Sequence, residues 1–183
     1  MGYDLALNKA WDELFKSGAP REKSVKFLGD EYSLDYEQKK VLSLSCNAPA
    51  KDFTAILILH YLAQAAKGLP ATTGKWLTFR ELSGIEGYYP AFRARAIDPI
   101  VRKHAHSPQG IFSVLDRLPG KKAERGDASI VLFALVGVPV LIALWGPDED
   151  FGPDANMFFD ESIKDIFCIE DIVVLAGIIC SQL

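Results

Sequence analysis

The sequence predicts an α+β fold: a single domain over residues 1–183, with a largely antiparallel sheet, a central buried hairpin and helices packed on it. Three observations predict it. Residues 128–146, ASIVLFALVGVPVLIALWG, carry no charged side chain, and Gly137 and Pro139 break the run near its middle. Its first half is rich in Val, Ile and Phe, which suit strands, and Gly-Asp before it and Gly-Pro after it are turn pairs. Two buried strands joined around 136–138 fit that pattern better than a membrane-spanning helix, against which the breakers, the strand-forming residues and the flanking turns all argue. The second observation is helical periodicity at 4–16 and 51–67. The third is the order of elements, in which helices and strands mix without the βα alternation of a parallel sheet.

The elements follow in order. Leu5, Leu7, Ala10, Trp11, Leu14 and Phe15 lie at helical spacing, and Ser17-Gly18 ends that helix. Residues 24–28, 31–35 and 40–44 alternate in polarity around turns at Gly29-Asp30 and 36–39. They predict a small antiparallel set of strands, with Val25, Phe27, Tyr32, Leu34, Val41 or Leu42, and Leu44 divided between its faces. The segment 51–67 predicts a largely buried helix that Asp52 caps and Gly68 with Pro70 stops. His60 lies among its apolar residues and reads as a satisfied core histidine, because no metal-type ligand lies at helical spacing from it.

Residues 75–82 (KWLTFREL) alternate and predict a strand, after which Gly84 and Gly87 lead through a loop to Tyr88-Tyr89-Pro90. Pro90 suits the first turn of a helix carrying Phe92, Arg93, Arg95 and Ala96. Asp98-Pro99 is expected to end that helix and cap another over 99–104. A short helix at 109–118, a basic loop at 119–126, the hairpin, a strand at 156–159, a helix at 161–167 capped by Asp160, and a last helix at 170–183 complete the chain.

A hydrophobic content of 49% excludes disorder, and 183 residues suffice for one core. The net charge of −4 argues against a nonspecific nucleic-acid binder. The N-terminal acids do not suit a signal peptide, so a cytoplasmic protein is expected. Cys46, Cys168 and Cys180 form no CxxC pair and read as buried structural thiols of a reducing compartment. No GxSxG, P-loop, GxGxxG or HExxH motif is present, and no residue pattern names a cofactor.

Charge is segregated. Eight bases face three acids over 93–125, and nine acids face one base over 147–171. Two solvated surfaces, or two segments paired within the fold, are the plain explanation. The sharper one concerns GYYPAFRARAIDP. Tyr88, Tyr89, Arg93 and Arg95 place aromatic rings beside arginines at a helix start, a combination that holds carboxylate or phosphate. The same arginines could pair internally with Asp148, Glu149 or Asp160. Asp148, Glu149, Asp150 and Asp160 form the second candidate, as acidic partners or as oxygen ligands for a divalent metal, although without EF-hand spacing. His104 and His106, beside Lys103, read as a solvated helix end.

The stretches ILHYL, TGKWLTFREL, YYPAFRARAIDPIVRKH, GDASIVLFAL, VPVLIALWGPDEDF, NMFFDESI and EDIVVLA resemble a family of domains of unknown function, found mainly in anaerobic bacteria and archaea. The resemblance runs from about Ile56 to the C-terminus. It implies association, sometimes by fusion, with iron–sulfur and corrinoid-linked proteins. With three cysteines in this chain, an implied cluster would reside on another protein.

Three functions follow as expectations. The first is a non-catalytic accessory module in anaerobic redox or one-carbon metabolism, binding a partner protein or small anionic ligand near Tyr88, Tyr89, Arg93 and Arg95. The second is a metal-dependent enzyme built on Asp148, Glu149, Asp150 and Asp160. The third is a homo-oligomeric scaffold whose basic and acidic segments meet between subunits. None involves nucleic acid or a membrane.

Overall fold

The computed structural model describes residues 3–83, 86–104 and 106–183. Its architecture is α+β, with helices and two antiparallel sheets. Helix α1 (Asp4–Lys16) leads into a meander of β1 (Ser24–Phe27), β2 (Asp30–Asp35), β3 (Lys40–Ser43) and β4 (Ala48–Pro49). Helix α2 (Asp52–Ala65) follows. Its N-cap is Lys51, without a side-chain cap, so Asp52 contributes only first-turn charge and not the expected cap.

The second sheet has the order β5-β9-β8-β7-β6. Its centre is the expected hairpin: β7 (Ala128–Leu135) and β8 (Val138–Trp145), paired from Ala128↔Leu144 to Leu135↔Val138. Gly137 turns the chain at φ +75, a conformation that a glycine adopts without Cβ strain. The run lacks charge because both faces are covered. Ile130, Leu132, Val140 and Ile142 enter the main core. Val131, Leu141 and Ala143 point the other way, join Phe158, and lie beneath Trp76 and Trp145. The Arg125 guanidinium lies 3.8 Å from the centre of the Phe158 ring. Among the described residues, no helix is long and apolar enough to cross a membrane.

Three expected element assignments are corrected first. The strand at 75–82 is only β5 (Trp76–Thr78), and α3 (Phe79–Ser83) begins at once. The reason is a capping box. The Glu81 carboxylate accepts from the Thr78 N–H (2.7 Å) and hydroxyl (2.8 Å), while Thr78 Oγ1 accepts from the Glu81 N–H. Asp98-Pro99 does not divide two helices. The chain runs from α4 (Tyr89–Phe92) through a π-turn (Arg93–Ile97) into α5 (Asp98–His104). Pro99 cannot donate to Arg95, and its ring crowds that carbonyl in a regular helix. A wider turn, closed from the Asp98 N–H to the Arg93 carbonyl, accommodates it. The loop at 119–126 contains β6 (Gly120–Ala123), an exposed edge strand with no hydrophobic signal of its own.

A 3₁₀ helix (Pro108–Asp116) replaces the regular helix expected at 109–118. β9 (Asp154–Asp160), a 3₁₀ turn (Glu161–Asp165) and α6 (Ile169–Gln182) close the chain. The cysteines are not buried: Cys46 and Cys168 are exposed, and Cys180 is half-buried. His104 is buried and only His106 is exposed. Gly84, expected in a loop, lies outside the described residues.

Candidate functional site

The wall of a cleft is built first by register. Phe27 pairs with Asp30, and Tyr32 with Ser43. Partners across a ladder share a face, so all four side chains stand on one side of the meander. Opposite them stands one stripe of α6. Val173, Val174, Gly177 and Ile178 follow helical spacing and are half-buried, whereas Ile172, Leu175, Ala176 and Ile179 are buried in the core. Between stripe and meander lies a cleft of about 820 Å³, closed at one end by Lys51, Phe53 and Thr54 at the start of α2. Tyr3 also lines it. Gly177 helps set its width, since a Cβ built there meets nothing within 4 Å.

Arg95 reaches this cleft from the π-turn. The cleft's polar groups are few. Asp30 accepts from the Ser43 hydroxyl (2.7 Å) and the Glu31 N–H (2.8 Å). Burial alone would raise its pKa, but these bonds outweigh it and the carboxyl titrates lower than usual. Burial and the adjacent Asp30 push the Tyr32 phenol up to about 12, so it stays protonated. Among the described residues, Lys51 and Arg95 have no carboxylate within salt-bridge distance. The result is an apolar slot with one carboxylate already engaged and two unneutralised cations at its edge.

The sequence candidates are distributed more widely than their spacing suggests. Tyr89 and Arg93 do share a face, with the Tyr89 hydroxyl beside the guanidinium. Arg93 is occupied: Nε lies 3.2 Å from Asp98 and Nη2 lies 2.8 Å from Asp154. Its partners are therefore Asp98 and Asp154, not Asp148, Glu149 or Asp160. Tyr89 carries the Arg80 guanidinium on its ring at 3.9 Å, and Tyr88 is exposed. Of the four, only Arg95 lines the cleft.

Asp148, Glu149 and Asp150 sit in the β8–β9 loop, where Asp148 Oδ1 accepts from the N–H groups of Asp150 (2.9 Å) and Phe151 (2.6 Å). Asp160 lies at the other end of β9, about 20 Å along the strand from Asp154 at 3.3 Å per residue. It is buried and caps the 3₁₀ turn as expected, accepting from Ser162 N–H, and it also accepts from Thr73 and Gly74. Burial raises its pKa, but the donors prevail and bring it down to about 2. No group of three or more His, Cys, Asp or Glu side chains among the described residues is placed to hold a metal ion.

Sequence reasoning missed Asp30, Tyr32, Ser43, Lys51 and Gly177 as site residues. The alternation of 24–44 was visible, but which face would meet α6 was not, because the two lie over a hundred residues apart in the chain.

A family model described as a domain of unknown function (DUF3786) matches residues 16–182. No curated protein and no solved structure matches the chain. The matched region starts well upstream of Ile56, so it takes in the meander as well as α6, the two walls of the cleft.

Proposed function

We propose that this chain, which belongs to the DUF3786 family, binds a small amphipathic anion in the cleft between the meander and α6 and does no chemistry on it there. The ligand's apolar body lies between the meander and α6, and its charged end meets Arg95 and Lys51. The cleft carries this reading: about 820 Å³ is within the range of small-molecule sites, its walls are apolar, and its unneutralised charges are cationic. Three unpaired thiols support a cytoplasmic setting. An accessory role in anaerobic redox or one-carbon metabolism is supported by the sequence resemblance alone.

The test uses anilinonaphthalene sulfonate, an apolar dye with one anionic group. The native protein should bind it saturably. Gly177→Phe fills the slot and abolishes binding, and Arg95→Ala weakens it by about tenfold, the value of a charge-assisted hydrogen bond. Circular dichroism should stay unchanged in both variants. Wild-type affinity in both would refute the assignment of the cleft.

A further inference from the structure

His60 has no partner at helical spacing, but tertiary packing supplies one 111 residues away. Both carboxylate oxygens of Asp171 lie 3.0 Å from His60 Nδ1. Asp171 stands in the first turn of α6 and is only 8% exposed. The Cys168 thiol donates to its Oδ2 at 3.3 Å. A buried carboxylate requires donors, so Asp171 fixes the proton of neutral His60 on Nδ1 and leaves the lone pair on Nε2.

Nε2 faces a second cleft of about 410 Å³ between α1 and α2, also lined by Lys9, Glu13, Gln64 and Lys67. Here the nearest carboxylate to Nε2 is Glu13 at 4.0 Å, beyond hydrogen-bonding distance. The thiol is not the reactive group. Cys168 as a whole is exposed, but desolvation of its thiol group, then the Asp171 charge, push it up to about 11, and its bond is to Asp171 rather than to the imidazole.

We propose that His60 and Asp171 form a proton-transfer site, in which His60 Nε2 is the general base and Asp171 the positioning residue. The cleft's two lysines, Lys9 and Lys67, stand with two carboxylates, Glu13 and Asp171. Lys9 lies 3.9 Å from Glu13 and Asp171 is engaged by His60, which leaves Lys67 to meet one anionic group on a small substrate with an acidic C–H or O–H bond. This site is separate from the cleft under Arg95 and stands or falls independently of it.

Nitrobenzisoxazole tests the base. His60 Nε2 takes the ring C–H proton, the C–H electron pair becomes part of a nitrile, and the N–O bond breaks onto oxygen to give a coloured phenolate. The native protein should turn the probe over saturably, and His60→Gln should lower the rate about a hundredfold. His106→Gln, at the exposed histidine, should leave it unchanged. The rate should rise with pH and level off above the His60 pKa. The Asp171 hydrogen bond raises that pKa above 6.5, Glu13 adds to the rise, and burial and Lys9 oppose it.

Asp171→Asn should shift the midpoint to lower pH and reduce the plateau rate, which a merely structural carboxylate would not do in a folded variant. Malonate should compete with the probe; failure to compete overturns the anionic class. A wild-type rate in His60→Gln, or an equal loss in His106→Gln, overturns the proposal.

Discussion

Arg93 and Arg95 are two residues apart in the chain and have different surroundings. Arg93 spans Asp98 and Asp154 at the surface, where ion pairs contribute little; Arg93→Ala should cost less than about 1 kcal/mol in urea unfolding. Asp160 is the opposite case, a buried carboxylate holding backbone donors of Thr73, Gly74 and Ser162. Asp160→Ala leaves those N–H groups without their acceptor and should cost about 3 kcal/mol. Because the folded pKa of Asp160 is about 2 against an ordinary 3.8, its contribution is full above pH 3.8. It is lost as pH falls toward 2, so an acid titration of stability should flatten in that window for Asp160→Asn. His60 has the reverse sign. Its pKa is raised, so its contribution is full below 6.5 and disappears as pH rises through the folded value. His60→Gln should remove that loss from a stability profile taken between neutral and alkaline pH. Gly177 sits inside α6 in open space, and Gly177→Ala should stabilise by about 0.5–1 kcal/mol, read from the urea midpoint.

Among the elements, β6 shows what pairing does without hydrophobic instruction. Gly120, Lys121, Lys122 and Ala123 have no strand-like alternation, yet they pair with β7 because its edge offers free backbone groups. Gly120 permits the approach, since a Cβ there would collide with the Val131 carbonyl and the Leu115 and Leu132 side chains. Gly120→Ala should therefore cost about 1–3 kcal/mol, with faster amide exchange along β6 as the confirming measurement. The π-turn at Arg93–Ile97 has a local cause in Pro99, so it was legible in principle; a proline four residues after Arg95 forbids the regular bond there. The Thr78–Glu81 box was legible too, as T-x-x-E before Leu82, but the alternation of KWLTFREL concealed it. Alternation and capping are competing local signals, and the two charge-assisted bonds to Thr78 favoured the helix.

At the scale of the whole molecule, α1 joins both clefts. It lies almost entirely ahead of the family match, which starts at residue 16. Trp11 and Ala10 are fully buried and Leu14 nearly so, against α2 and the meander residue Tyr36. Tyr3, just before the helix, lines the larger cleft, and Glu13 lines the smaller one. Removing residues 1–17 exposes the surfaces that Trp11 and Leu14 cover, worth about 3–6 kcal/mol at 1.5–3 kcal/mol for each of the two side chains. The melting temperature should fall by about 10 °C or more in a chain of this size. The sequence by itself determined the class of fold, the central hairpin and the helix at 4–16. Those depend on periodicity, turn residues and propensity, all of which act between near neighbours. Only the tertiary structure decided that Arg95 faces a cleft while Arg93 pairs with Asp154, that Gly177 and Tyr32 line the same cleft, and that Asp171 completes His60. Such pairings are between residues distant in the chain, and tertiary packing, such as that of α6 against α2 and the π-turn, brings them together, which no local pattern encodes.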